Sequence, residues 1–249
     1  MTQVWLYALI SVFLISAISL VGVFIFSLKK AFIQKITLPL VSFAVGGLLG
    51  DAFIHLLPES FEKTNNSLKI AILIIAGVLI FFSLEKFLRW RHCHDFECKE
   101  HSHILVNMNL AGDSVHNFID GIIIAASYIV SLPLGIATTL AVALHEIPQE
   151  IGDFGIFIHS GLSRGKALLY NFLASLACVL GAILTLLIGQ HLGGFAFAIL
   201  PLTAGGFLYI AGSDLIPELH RETKISTSLV QLLSIIGGVI IMALLILLD

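Results

Sequence analysis

Apolar residues run through this chain in long stretches separated by short polar ones. Each stretch is long enough to cross a bilayer, which takes about 20 helical residues. Eight membrane helices are predicted, roughly Val4–Leu28, Ile36–Leu57, Leu68–Leu88, Ile104–Val130, Leu134–Ile158, Ala167–Gly189, Phe195–Ile216 and Ser228–Leu248. Short segments alternating at period two are absent, which argues against a β-barrel. The fourth and fifth stretches break the apolar pattern. Asn109, Asp113, His116, Asn117 and Asp120 recur at helical spacing in the fourth, as His145, Glu146, Gln149, Glu150 and Asp153 do in the fifth. Each set therefore lies as a stripe on one helix face.

Ser131-Leu132-Pro133 joins these two segments by a short turn, with Pro133 where a first helical turn tolerates it. The pair is therefore an antiparallel hairpin. The centres of the two stripes, near residues 118 and 147, are about equally far from that turn. At about 1.5 Å per residue, both fall roughly 22 Å along their helices, near mid-membrane. His116, Asn117, Asp120, His145, Glu146 and Gln149 are thus expected to face one another at one depth. Pro148 cannot donate to the Leu144 carbonyl, so the fifth segment is expected to kink or open beside them. Freed backbone at that depth is tolerated where it is buried in protein or lines a wet cavity.

Composition agrees with a polytopic membrane protein: 58% of the 249 residues are hydrophobic and only 12% charged, against about a quarter charged in a soluble domain. The first apolar segment lacks a basic n-region and is read as retained. Eleven of the 13 Lys and Arg fall in the loops after segments one, three, five and seven, and only Lys63 and Lys69 on the other side. By the positive-inside rule both termini face away from the cytoplasm. Residues 1–249 then form one eight-helix domain, with 89–103 a cytoplasmic loop.

Charge changes the reading of the two stripes most. A carboxylate at a membrane helix centre costs roughly 2.5–3.5 kcal/mol. Asp120, Glu146, Glu150 and Asp153 together approach about 10 kcal/mol, comparable to a whole domain's stability. No Lys or Arg stands between Lys99 and Arg164. The compensating positive charge must be an external cation, or protons on the acids and imidazoles. Imidazole with carboxylate oxygen suits zinc, and acceptably iron or manganese. The plainer alternative is that the groups satisfy one another as interhelical hydrogen bonds. Two matched stripes without a basic residue favour a cation site.

At these residues the sequence resembles the ZIP family of zinc and iron permeases, closest to its branch with HNFxDG in helix four and HExPHE in helix five. "HNFIDG" (His116–Gly121) matches the first motif, and "HEIPQEIGDF" (His145–Phe154) the second with Gln149 in place of His. "GDAFIHLLPES" (Gly50–Ser60) and "GSDLIPEL" (Gly212–Leu219) look like its helix two and helix seven signatures. The resemblance implies an all-α membrane fold, helices 1–3 and 6–8 forming an inverted repeat around helices 4 and 5. It also implies a two-metal centre, with His116, Asp120, His145 and residue 149 at the first position and Asn117 and Glu146 at the second. Gln149 offers a weak neutral oxygen, so the second position is expected to be weaker or of shifted preference. Glu150 completes the metal candidates. Elevator-like movement is a further implication.

The expected cargo is Zn²⁺, with Fe²⁺, Mn²⁺ and Cd²⁺ as further candidates, moved into the cytoplasm across a plasma or inner membrane. The partners implied are divalent ions and the bilayer, with a homodimer as one arrangement and nothing pointing to nucleic acid. Asp51 and His55 either line the way in or cap a packing contact. Asp113, Asp153 and His159 lead from the stripes towards the cytoplasm. In the loop, His92, Cys93, His94, Cys98, His101 and His103 form a metal-capturing tract, or else a solvated segment. Cys178 reads as core. "GGLLG" (Gly46–Gly50) and Gly121 with Ala125 read as close helix contacts. An intramembrane metallohydrolase is the competing function, since HEIPQE resembles HExxH with its second His lost. A membrane metal sensor acting through the loop is a weaker third. No Walker A motif is present to couple ATP.

Overall fold

The computed structural model describes residues 2–20, 30–64, 66–90, 101–189 and 194–248. It is helical along this length, in the order α1 (Thr2–Ile18), α2 (Lys30–Gly50), a π-helical stretch π1 (Asp51–Leu56), α3 (Leu57–Lys63), α4 (Ser67–Trp90), α5 (His101–Val130), α6 (Leu132–His159), α7 (Arg164–Gly189), α8 (Phe195–Tyr209), a second π-helical stretch π2 (Ile210–Leu215), α9 (Ile216–Leu219) and α10 (Ile225–Leu245), closed by a 3₁₀ turn (Ile246–Leu248). Among the described residues, five helical runs are long and apolar enough to cross a membrane: Ile36–Lys63, Ser67–Lys86, Arg164–Gly189, Phe197–Leu219 and Ile225–Leu245. The fourth and fifth apolar segments of the sequence are α5 and α6, 30 and 28 residues long. They are long enough to span, but polar stripes dilute their apolar character. Exposed apolar rows such as Leu68, Ile72, Ile75 and Leu79 on α4 present the surface that hydrocarbon requires.

The two π stretches share one cause. Pro58 and Pro217 each stand two residues past the end of a π stretch. A proline has no N–H, and its ring crowds the carbonyl four residues back, here Ile54 and Ser213. The turn widens to relieve the clash, and the N–H groups of Leu57 and Ile216 reach back five residues to the carbonyls of Ala52 and Ala211. Pro148 behaves differently, because α6 runs on as one helix through it. The opening expected in the fifth segment occurs instead in the second and seventh.

Packing sorts the helices into two groups. α5 lies along α7, and α1 packs on α5, α6 and α7. In the other group α2 lies along α10 and α4 along α8. Glycines set the closest approaches on both sides of each seam. A methyl built on Gly121 would lie 1.9 Å from the Cys178 carbonyl oxygen, and one on Gly181 2.0 Å from that of Phe118. Gly77 and Gly205 do the same between α4 and α8, and Gly46 and Gly238 between α2 and α10. Between the groups, the broadest contact is α2 and π1 against α6, followed by α8 against α5. Cys178 is buried in the core with Ile124, Leu186 and Phe207.

The α5–α6 hairpin turns on Ser131, whose hydroxyl caps α6 by accepting from the Leu134 N–H at 3.2 Å, with Pro133 in the first turn. Ser131→Ala should cost about 1 kcal/mol, checked as a lower thermal midpoint of the purified protein. Ser131→Asp, which restores an acceptor, should recover most of it.

Candidate metal centre

The hairpin brings the two stripes face to face. His116 Nε2 and His145 Nε2 are 3.2 Å apart, and their rings meet edge to face. His116 Nε2 lies 3.5 Å from Asp120 Oδ2 and 3.4 Å from Glu146 Oε1, and His145 Nε2 lies 3.5 Å and 3.7 Å from the same atoms. These four are the group of His, Cys, Asp and Glu side chains able to hold an ion among the described residues. A tetrahedral ion with bonds of about 2.0–2.2 Å spaces its ligand atoms about 3.3–3.6 Å apart. The separations above, 3.2–3.7 Å, lie near that spacing.

The cluster leaves donor atoms unpaired by its surroundings. Both oxygens of Asp120 and Oε1 of Glu146 are buried without a hydrogen-bond partner among the described residues. The two imidazole nitrogens at 3.2 Å are close enough to share a proton or an ion. His145 Nδ1 lies 3.2 Å from the Ala141 carbonyl, which can only accept, so Nδ1 carries the proton and Nε2 turns a lone pair to the cluster. Phe207 of α8 stacks edgewise on His145, and Phe81 of α4 on His116. The four ligand atoms thus come from one helix group, and the second covers them with aromatic rings. His116 keeps 19% of its side chain exposed, on a cavity of about 620 Å³.

The other sequence candidates sit around this cluster. Asn117 is fully buried and donates to Asp113 Oδ1 at 2.8 Å and to the Asp113 carbonyl. Gln149 Nε2 is 3.5 Å from the same Oδ1. Glu150 is buried with both carboxylate oxygens unpartnered among the described residues, and its backbone carbonyl accepts from Asn171 of α7. Asp153 Oδ1 accepts from Asn109 at 3.0 Å. Asp51 accepts from Thr138 at 3.1 Å, and His55 donates to the Met242 carbonyl at 2.9 Å. Neither Asp51 nor His55 lines the cavity. His92, Cys93, His94 and Cys98 lie outside the described residues, as do the side chains of His101, His103 and His159. Sequence reasoning passed over Thr138, Asn171, Glu85 and Tyr209. Asn171 and Glu85 carried a signal, as an amide and an acid inside predicted apolar segments.

Fold and cluster together define an integral, multi-pass helical membrane protein with a largely buried His/carboxylate cluster. The chain belongs to the ZIP zinc transporter family, whose profile matches residues 2–103 and 90–246. It is 37% identical over 221 residues to zinc transporter ZIP13 of Pongo abelii, covering 82% of this chain and 65% of that protein. It is 33% identical to zinc transporter zipt-7.1 of Caenorhabditis briggsae, covering 80% and 68%. Against zinc transporter SLC39A7 of Homo sapiens it is 30% identical, covering 96% and 70%. The chain thus spans about two thirds of the length of these relatives.

Proposed function

We propose that this protein carries a divalent metal ion, Zn²⁺ foremost, through the membrane and into the cytoplasm, using His116, Asp120, His145 and Glu146 as the transport site. The near-tetrahedral spacing of these four atoms, three of them on buried side chains, carries the reading. Fe²⁺, Mn²⁺ and Cd²⁺ are candidate cargoes through the same donors, borderline imidazole with hard oxygen. Asn117 stands one step outside and, with Glu146, forms the weaker second position, with Gln149 and Glu150 beside it. Asp113, Asp153 and His159 lead onward to the cytoplasm, and Asp51 and His55 belong to the opposite half.

The topology we infer has eight spans, both termini away from the cytoplasm, and helices 1–3 inverted relative to 6–8. In its support, the second and seventh segments carry π stretches at the same spacing from a proline. Inverted repeats commonly frame a midplane site exposed alternately to each side. An elevator-like movement suits a cluster whose ligands all ride on one helix group. The whole chain then acts as one transporter domain, its 89–103 loop capturing metal in the cytoplasm. A plasma or inner membrane and a homodimer complete the proposal.

Hydrolysis fits less well. A catalytic zinc site keeps one position open for water, whereas four protein ligands here close the tetrahedron. Purified protein in liposomes should admit Zn²⁺ faster than empty vesicles. Absence of flux, with turnover of a lipid or peptide substrate, would replace transport by hydrolysis. Gln149→His adds an imidazole beside Asp113 and should tighten metal binding or reorder selectivity. Unchanged titration and competition profiles would remove residue 149 from the ligand set.

A further inference from the structure

The cavity takes its walls from one side of the His/carboxylate cluster. It follows α5 from Asn109 to Ile119 and α6 from His145 to Ile156, and it reaches Glu218, whose side chain is 48% exposed. This is the side away from the Ser131 turn. The side towards the turn is closed. There Ile123 and Ile124 of α5, Ala141 and Val142 of α6, Leu48 of α2 and Ala52 of π1 are at most 1% exposed and join one core. A polar pair is buried in that seal. Asp51 of π1 and Thr138 of α6 are both 0% exposed, and the Thr138 hydroxyl donates to Asp51 Oδ2 at 3.1 Å. Thr138 stands seven residues before His145, about 10 Å nearer the turn. The bond joins the two helix groups, since α6 carries ligands of the cluster while π1 continues α2. His55, also in π1, is instead fixed to the Met242 carbonyl of α10 in its own group. Asp51 Oδ1 has no partner among the described residues.

Two opposed effects meet in this pair. Burying a carboxyl group with one oxygen unpaired disfavours the sealed arrangement, because water would solvate it once the groups part there. The Thr138 hydroxyl offsets part of that cost. We propose that Asp51 and Thr138 form a conformational switch in the seal, Asp51 favouring separation of the two helix groups on that side and Thr138 holding them together. The switch rests on the transport reading, in which the cluster is exposed to each side in turn. A wholly apolar contact in the same place would close more firmly and open less often. The pair lies outside both the cavity and the four-ligand cluster. It therefore acts on the balance between two arrangements of the groups, and not on the affinity of the ligands themselves.

Spin-label distances in the full-length purified protein, with no metal added, test this. The labels go on Glu62→Cys of α3 and Leu132→Cys of α6, both exposed positions, with Cys93 and Cys98 replaced by Ser. The sealed arrangement should give the main distance in the wild type. Thr138→Val leaves Asp51 buried without its donor, and should raise a longer distance about tenfold relative to the main one. Adding Asp51→Ala removes the group that gains from opening, and should cancel that rise. Asp51→Ala alone should keep the main distance and slow zinc flux in liposomes about tenfold. Thr138→Ser keeps the hydroxyl and should match the wild type. Thr138→Ala removes it with a smaller side chain, and takes the place of Thr138→Val if that variant does not fold. A pair that merely stabilises the fold would lower the thermal midpoint in both single variants and leave the distances alone. Identical distances in all variants would therefore overturn the switch, as would a longer distance in Asp51→Ala or wild-type flux in that variant. Distances that behave as expected in a wild type that passes no zinc would instead overturn the transport reading, so the two failures are told apart.

Discussion

Asp120→Ala should reduce zinc flux in liposomes by at least about 100-fold while the protein remains folded. Losing an outer-shell partner alone typically costs 10–100-fold in metal affinity or activity, and in the proposed site Asp120 supplies a ligand atom. Folding should survive because the carboxylate has no hydrogen bond to lose. Burying it carries a penalty of roughly 2.5–3.5 kcal/mol at a helix centre, so without metal the variant should be as stable as the wild type or more so. Metal reverses the order. At 100 times its Kd, a ligand that binds only the folded state adds about 2.7 kcal/mol, equivalent to about 5–10 °C in Tm for a chain of this size. Zinc should raise the wild-type Tm by that amount and leave Asp120→Ala unmoved. His116→Ala should behave alike. A variant that transports at the wild-type rate would remove the helix-four stripe from the path.

The site was legible in the sequence because the depth of a residue in a hairpin follows from counting. Residues 116 and 145 stand 15 and 14 positions from Ser131, and their ring nitrogens meet at 3.2 Å. Which members of each stripe converge was less legible. Neighbours on a helix diverge by about 100°, so His116 enters the cluster while Asn117 turns to Asp113. Glu150 lies a full turn beyond Glu146, out of reach of the four-atom group, and its backbone carbonyl accepts from Asn171. The π stretches were hidden for another reason. Pro58, Pro148 and Pro217 are the same residue, each preceded by an aliphatic side chain and followed by a polar one, yet only two of them open the helix. Tertiary packing decides that, and a local pattern does not contain it. Likewise the pairing of Glu85 with Tyr209 joins positions 124 residues apart in sequence, and nothing local links them.

Gly121→Val should be the most damaging substitution away from the metal ligands. The Cβ alone would sit 1.9 Å from the Cys178 carbonyl oxygen and 2.9 Å from the Ala182 nitrogen. Both are backbone atoms of α7, so no rotamer change relieves the clash and the two helices must separate. Association of helices in lipid depends on close backbone approach, because the hydrocarbon competes equally for apolar side chains. Separation would also strip contacts along the longest seam in the fold and displace Asp120, the neighbouring residue, from its partners. Overpacking ordinarily costs about 1–3 kcal/mol. A rigid backbone clash should reach the top of that range or pass it, leaving little monodisperse protein on size exclusion. Gly181→Val, from the α7 side of the same seam, should do the same, since its Cβ would lie 2.0 Å from the Phe118 carbonyl. Gly165→Ala is the control. It too is a helical glycine of α7, with nothing within 4 Å of an added methyl, and should be neutral or stabilise by up to about 1 kcal/mol. If Gly121→Val melted with the wild type and kept its zinc affinity, α5 and α7 would not be joined as this seam requires. The four ligands would then need some other support to hold their spacing.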